Sequence, residues 1–197
     1  MKMLVASTNR GKVREIQAFL AGLPLEVETL ADHPGFQVFP EDGRTFQENA
    51  RGKSLFYSRI SPDLVLAEDS GLEVERLGGA PGVYSARFSG EDATDEKNVD
   101  KVLRLLAGVP HDERKARFVC CMALSRREKI VTEITGTVEG FITMEKHGRG
   151  GFGYDPIFYY PPLLKTFAEM TPAEKNGVSH RGRALRQLHL FLQRSQL

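Results

Sequence analysis

Residues 64–77 read LVLAEDSGLEVERL: an apolar run, two acids, Ser-Gly and then an alternating segment. The run LVLAED (64–69) predicts a buried strand, and LEVERL (72–77) predicts a second strand with one buried face. Carboxylates at the carboxyl end of an apolar strand stand where open α/β sheets place their binding sites. Glu68 and Asp69 would repel each other there unless they are neutralised, so we favour a functional site over a plain Asp-Ser-Gly turn.

Two kinds of chemistry suit these acids. Mg²⁺ takes oxygen ligands and keeps several waters, so one or two carboxylates are enough to hold it. A carboxylate in the same place can also accept the proton of an attacking water.

A similar strand, loop and helix open the chain. MLVAS (3–7) predicts a buried strand, and a helix is expected over about 10–21. The junction places backbone N–H groups and the positive end of the helix dipole together, which favours binding of a phosphate chain. An ordinary helix N-cap explains the segment equally well, and the P-loop pattern GxxxxGK[ST] is absent. The loop residues are Ser7, Thr8, Asn9, Arg10, Gly11 and Lys12.

Another loop, Glu41-Asp42-Gly43-Arg44, precedes a helix for which Thr45 and a following Glu predict a capping box. Asn49 and Lys53 lie one turn apart on one face of that helix. Two carboxylates in a Gly-bearing loop can hold Mg²⁺ through their oxygens. A solvated loop before a surface helix is the alternative.

The C-terminal half contains a glycine-rich loop, GGFGYDP (150–156), and a basic helix start, SHRGRAL (179–185). Glycine backbone beside an aromatic face suits a stacked planar base, with Asp155 accepting from a ring N–H; a Gly-rich hairpin loop is equally consistent. His180 and Arg181 would be mildly unfavourable at the positive end of a helix dipole. A ligand with acceptor oxygens would explain them.

Composition narrows the class of protein. Lys plus Arg number 27 and Asp plus Glu 26, so the net charge is +1, which argues against bulk binding of nucleic acid or a membrane surface. No segment reaches the roughly 20 apolar residues of a membrane helix. Cys120 and Cys121 are neighbours in the apolar stretch FVCCMAL and should point to opposite strand faces. We expect two inert buried thiols, no disulfide and a cytoplasmic location.

Strand and helix patterns mix along the chain without a linker between them. This predicts the α/β class, with a long mixed β-sheet and flanking helices, in a single domain spanning residues 1–197.

Together these segments resemble the house-cleaning inosine/xanthosine triphosphate pyrophosphatases, which act on non-standard purine nucleotides. The resemblance runs in family order over nearly the whole chain. The matching stretches are STNRGK (7–12), EDGRTFQENARGKS (41–54), AEDSGLEVERLGGAPGVYSARFSGEDATDEKN (67–98), GGFGYDPIF (150–158) and SHRGRAL (179–185).

The resemblance implies two lobes around a central cleft and, usually, a homodimer. It also implies that Mg²⁺-bound ITP, dITP or XTP is cut between the α and β phosphates, with Asp69 as the catalytic base. The acids implied to organise Mg²⁺ are Glu41, Glu68 and Asp69. The residues implied to bind phosphates are the loop 7–12, Lys53 and Ser70. The residues implied to bind base and sugar are Phe152, Gly153, Tyr154, Asp155, Lys175, His180 and Arg181.

One position departs from the family pattern: Asp42 stands where the family often has Thr, and this extra carboxylate either alters metal affinity or faces water. Two alternatives to the leading function stay open. One is a related nucleotide pyrophosphatase for other modified nucleotides, and the other is a non-catalytic nucleotide sensor.

Overall fold

The computed structural model describes residues 2–33, 35–59, 61 and 63–195 of the 197-residue chain. Within these ranges it has seven strands and five α-helices, joined by loops and short 3₁₀ turns. The strands are β1 (Lys2–Val5), β2 (Glu26–Thr29), β3 (Leu64–Val74), β4 (Lys115–Arg126), β5 (Lys129–Ile142), β6 (Phe158–Tyr160) and β7 (Lys165–Thr166). The helices are α1 (Arg10–Leu20), α2 (Phe46–Ser58), α3 (Asp95–Leu105), α4 (Pro172–Val178) and α5 (His180–Arg194).

The strands form one mixed sheet in the order β2-β1-β3-β4-β5-β6-β7. β1 pairs in parallel with β2 and β3, whereas β6 pairs antiparallel with β5 and β7. The predicted α/β class with a long mixed sheet is therefore confirmed.

Residues 64–77, for which we predicted two strands, contain a single strand. β3 runs without interruption over Leu64–Val74, and only Glu75–Leu77 leaves it, as a 3₁₀ turn. The prediction of a break at Ser70-Gly71 was wrong because both residues stay in the extended backbone of the strand. The two-residue strand β7 was not predicted, since a segment that short carries no periodicity.

The chain divides into two compact units, and the division falls between Asp69 and Ser70. The first unit comprises Met1–Asp69, Cys120–Thr135 and Ala184–Leu197, and the second comprises Ser70–Val119 and Gly136–Arg183.

The first unit buries both faces of β1 and β3, as expected for parallel strands covered by helices. Met3 and Leu66 pack on one side with apolar residues of α1 and α5, and Leu4 and Val65 pack on the other with Tyr57 of α2. Their neighbour β4 contributes Cys120, Met122 and Leu124 to the first of these cores.

The second unit has its own core beneath α3 and the strands β5 and β6. Phe118, Phe158 and Phe167 form its centre, with ring centroids 4.6 to 5.8 Å apart. Tyr154 belongs to this core as well.

Side chains of Ser and Thr cap the starts of several helices. Thr94 and Thr171 each accept a hydrogen bond from the backbone N–H three residues on, and Ser179 caps α5 through the N–H of Gly182. Thr45 caps α2 through the N–H of Glu48, but the Glu48 carboxylate accepts from Arg44 N–H instead of completing a capping box.

None of the helices in the described ranges is long and apolar enough to cross a membrane.

Candidate functional site

The carboxylate of Glu68, near the middle of β3, is buried in the first unit and bound at both oxygens. Lys12 Nζ lies 3.0 Å from Oε1, and the thiol of Cys120 donates to Oε2 at 3.3 Å. Lys53 Nζ donates to the backbone carbonyl of Glu68 at 3.2 Å. Because this side chain is only 1% exposed, its charge must be balanced by such neighbours, and Lys12 supplies that balance.

Asp69, the next residue, is buried too, and Asn49 Nδ2 donates to its Oδ2 at 2.8 Å. Burial raises the pKa of this carboxyl, and the charge of Glu41 acts in the same direction. Lys12, the hydrogen bond from Asn49 and Lys53 oppose the rise. The net upward shift brings Asp69 closer to the range in which a carboxylate works as a general base.

Asn49 connects the second acidic loop to this strand. Its Oδ1 accepts the N–H of Gly43 at 2.8 Å while its amide nitrogen donates to Asp69. A Cβ at Gly43 would collide with the Asn49 amide, so glycine allows this close approach. In the same loop Glu41 forms an ion pair with Lys53, whereas Asp42 is exposed.

We name these residues the acid–lysine cluster. It brings together the three acids expected to bind metal and two of the lysines expected to bind phosphate, and it adds Asn49. Among the described residues no group of three or more His, Cys, Asp or Glu side chains is arranged to hold a metal ion by itself. The members are Lys12, Glu41, Asn49, Lys53, Glu68 and Asp69.

The loop that precedes α1 combines both sequence interpretations. Asn9 caps the helix, because its Oδ1 accepts the N–H groups of Gly11 and Lys12 at 3.0 and 3.1 Å. The side chain of Lys12 then reaches Glu68, so this lysine is not a surface residue. Ser7, Thr8 and Arg10 line an open depression of about 610 Å³ on the first unit.

The glycine-rich loop of the second unit is organised by a buried ion pair. Lys175 Nζ lies 2.6 Å from Asp155 Oδ2, and the Phe152 N–H donates to the same oxygen at 2.9 Å. Lys175 Nζ also lies 4.5 Å from the centre of the Phe152 ring, and the Arg181 guanidinium lies 5.6 Å from it. Cations over an aromatic face are attracted by the ring quadrupole, which keeps this phenyl group in place.

Two further contacts hold the loop. Gly151 has a positive φ of 72°, and a Cβ there would collide with the Asp155 carboxylate, so only glycine fits. The N–H of Gly153 donates to Asp95 Oδ2 at 2.7 Å, at the start of α3. We name Phe152, Asp155, Lys175 and Arg181 the Phe152 cluster.

The remaining predicted residues of this unit differ in their surroundings. Arg181 Nη2 donates to Ser70 Oγ at 3.0 Å, which joins Ser70 to the Phe152 cluster. His180 is buried and stacks on Phe118, with ring centroids 4.7 Å apart. Tyr154 lies in the core, where its hydroxyl donates to the Ser85 carbonyl at 2.7 Å and burial raises the pKa of that hydroxyl. Its part in base or sugar binding stays a prediction.

Three contacting residues were not predicted to belong to either cluster. Asn49 had one signal, its position on the Lys53 face of α2. Asp95 had only its place in the first turn of α3, and Cys120 had the signal of an inert core residue. Each acts through a partner distant in the chain, which local patterns do not reveal.

Similarity to known proteins extends over nearly the whole chain. The model of the Ham1 family matches residues 3–191. The dITP/XTP pyrophosphatase of Desulforamulus reducens is 46% identical over 194 residues, covering 98% of this chain and 96% of that protein. The dITP/XTP pyrophosphatase of Bacillus cereus is 49% identical, covering 95% and 92%.

A solved structure of a HAM1 protein from Coxiella burnetii superposes with a TM-score of 0.90 at 38% identity, covering 99% of this chain and 100% of that one. The family match, the sequence relatives and the structural likeness all extend over nearly the whole chain, and this chain therefore belongs to the Ham1 family.

Proposed function

We propose that this enzyme hydrolyses non-standard purine nucleoside triphosphates, namely ITP, dITP and XTP, to the monophosphate and pyrophosphate, and so removes them from the nucleotide pool. One observation carries the proposal: a buried carboxylate, Asp69, lies among lysines in a chain nearly half identical to proteins named dITP/XTP pyrophosphatase. Such a site can neutralise a polyphosphate and activate a water molecule.

The first unit handles the phosphate chain in this proposal. Lys12 and Lys53 supply positive charge, and the backbone N–H groups at the start of α1 supply donors at the positive end of the helix dipole. Residues 7–12 together with Ser70 bind the phosphate oxygens. Hydrolysis of a phosphate anhydride needs mainly positioning and charge neutralisation, which these groups provide.

The donor set fits Mg²⁺. Glu41, Glu68 and Asp69 are three carboxylates around two lysines, so the acid–lysine cluster carries an excess of negative charge. Mg²⁺ is usually held by one or two carboxylates together with waters and substrate phosphates, so it needs no cage made only of protein. These three acids would hold the ion, which would neutralise charge that develops on the phosphate oxygens.

Asp69 is the general base. It accepts a proton from water while the water oxygen bonds to phosphorus, and the bridging bond between the α and β phosphates breaks. The electron pair of that bond leaves with pyrophosphate. The hydrogen bond from Asn49 orients the carboxylate, and burial shifts its pKa toward neutrality.

The second unit recognises the base. Hypoxanthine and xanthine present a 6-oxo acceptor and an N1–H donor. His180 or Arg181 donates to the oxygen, Asp155 accepts from a ring N–H, and Phe152 provides a face for stacking. Adenine reverses both polar features, and a site built on such hydrogen bonds can discriminate by roughly 10⁴-fold.

The test is a product analysis with matched substrates. Purified protein with Mg²⁺ is incubated with ITP, dITP, XTP, ATP or GTP, and the phosphorus products are identified by ³¹P NMR. We expect inosine monophosphate and pyrophosphate from ITP, with ATP nearly untouched. Guanine shares the 6-oxo and N1–H groups, so the rate with GTP measures how strongly the site rejects its 2-amino group. Orthophosphate and a diphosphate would contradict the proposed cut.

The same experiment separates the alternatives. A related pyrophosphatase for other modified nucleotides would leave ITP intact and cleave a modified pyrimidine triphosphate. A nucleotide sensor would bind ITP without turnover, which calorimetry would detect.

We further propose a homodimer, as the family resemblance implies, and a cytoplasmic location, as expected for two buried cysteines that are not joined by a disulfide. Sedimentation equilibrium of the purified protein tests the first point, since a monomer mass at all concentrations would contradict it.

A further inference from the structure

Cys120 lies on β4 with its side chain in the core of the first unit, and Cys121 follows it on the same strand. The two thiols have different partners, because successive residues of a strand point to opposite faces. Cys121 Sγ lies 3.5 Å from the hydroxyl of Thr135, whereas Cys120 Sγ lies 3.3 Å from the carboxylate of Glu68. Only Cys120 therefore contacts the acid–lysine cluster among these two.

The contact completes a set of restraints on one buried acid. Lys12 of α1 binds one carboxylate oxygen of Glu68, Cys120 of β4 donates to the other, and Lys53 of α2 holds the backbone carbonyl of the same residue. Two elements thus hold the carboxylate itself, and a third holds the backbone from which it projects. An apolar side chain in place of Cys120 would leave Oε2 without that donor.

We propose that Cys120 is a positioning residue whose thiol hydrogen bond holds the Glu68 carboxylate in the orientation that the metal-dependent reaction needs. The proposal deepens the proposed function and rests on it, since Glu68 is one of the acids assigned there to Mg²⁺. Groups that orient metal-binding carboxylates affect metal affinity or activity by about 10- to 100-fold. A thiol is a weak donor, so a smaller effect, about three- to tenfold, is expected here.

The hydrogen bond itself is tested without any activity. The chain has two cysteines, so Cys121→Ala leaves Cys120 as the sole thiol, and its S–H stretching band can be followed by infrared spectroscopy. In that background Glu68→Gln replaces a charged acceptor with a weaker neutral one. We expect the S–H band to move to higher frequency, whereas an unchanged band would overturn the proposal.

The functional part is tested by the Mg²⁺ dependence of ITP hydrolysis. Cys120→Ala removes the donor and Cys120→Ser retains one, while Cys121→Ala is the matched control on the opposite strand face. We expect Cys120→Ala to raise the Mg²⁺ concentration for half-maximal rate by about three- to tenfold, with kcat at saturating Mg²⁺ changed less. Cys120→Ser should recover most of this shift, and Cys121→Ala should resemble the original chain.

The outcomes distinguish the two proposals. If the original chain hydrolyses ITP but all three cysteine variants show the same Mg²⁺ dependence, the positioning role is wrong and the proposed function stands. If the original chain does not hydrolyse ITP, the proposed function fails. If Cys120→Ala does not fold, the test uses Cys120→Ser, Cys121→Ala and the infrared band. A normal Mg²⁺ dependence of Cys120→Ser, together with an S–H band that Glu68→Gln shifts, supports positioning. An unshifted band contradicts it.

Discussion

The acid–lysine cluster and the Phe152 cluster are built from the same kinds of charge in opposite proportions. The first has three carboxylates around two lysines, and the second has one carboxylate and two cations, Lys175 and Arg181, beside an aromatic ring. An excess of carboxylate suits a metal ion and an activated water, whereas an excess of cation beside a ring suits a planar group rich in acceptor oxygens. On this contrast rests our proposal that one unit carries the chemistry and the other the recognition.

The largest expected effect is on catalysis at the acid–lysine cluster. Asp69→Asn keeps the shape of the side chain and can still meet Asn49, but it cannot accept a proton from water. We expect kcat for ITP to fall roughly 10³-fold while KM changes by less than about threefold. Pyrophosphate release under steady-state conditions measures both.

A suitable control is Asp42→Asn, because Asp42 is an exposed acid in the loop that also carries Glu41. It should retain kcat within about twofold, as expected for a solvated charge. Equal losses in the two variants would mean that net charge, not proton transfer, limits the rate.

The next effect concerns the stability that the Phe152 cluster contributes. Asp155→Ala removes the partner of Lys175, whose side chain is 6% exposed, and leaves a buried charge uncompensated. We expect the free energy of unfolding to fall by roughly 3 to 5 kcal/mol. Urea denaturation followed by circular dichroism measures the change.

The second unit also contains a solvent-exposed ion pair of the same length. Lys146 Nζ lies 2.6 Å from Asp100 Oδ1, but the two side chains are 39% and 56% exposed. Asp100→Ala should therefore cost less than about 1 kcal/mol. Similar losses in both variants would show that burial does not set the strength of the Asp155–Lys175 pair.

Local patterns were enough for the parts of this fold that depend on neighbours in sequence. The caps at Thr94 and Thr171 were predictable because the bonded groups lie three residues apart. The acids of β3 were singled out because carboxylates after an apolar run are typical of binding sites in open α/β sheets, although the strand continues beyond them to Val74.

The contacts that organise the clusters were not predictable in this way. Asn49 meets Asp69 across 20 residues and Cys120 meets Glu68 across 52, and only packing of the elements brings them together. The continuity of β3 through Ser70-Gly71 also depends on its neighbouring strands. At these two residues the hydrogen bonds of the sheet outweigh the preference of Ser and Gly for turns.

The smallest expected effect is a pH dependence of the stability of the metal-free protein. Burial raises the folded-state pKa of Asp69 above its ordinary value of 3.8, so the folded state resists ionisation of this group more than the unfolded state does. The stability that burial of the protonated Asp69 contributes is fully present below the unfolded-state pKa of this group. It is lost as pH rises through the folded-state pKa. Asp69→Asn has no such ionisation, so its stability relative to the original chain should increase as pH rises above 3.8 and level off above the folded pKa.

Asp32 provides the opposite sign within the same unit. The N–H and hydroxyl of Thr29 donate to its carboxylate and lower its pKa, so its stabilisation is present at neutral pH and is lost as pH falls. Asp32→Asn should therefore lose stability relative to the original chain as pH rises through the unfolded pKa of 3.8, with little further change at higher pH. Denaturation in EDTA at each pH measures both differences. Added Mg²⁺ should reduce the advantage of Asp69→Asn, because a cation at this cluster favours the ionised carboxylate; no response to Mg²⁺ would argue that the acid–lysine cluster is neutralised by its lysines alone.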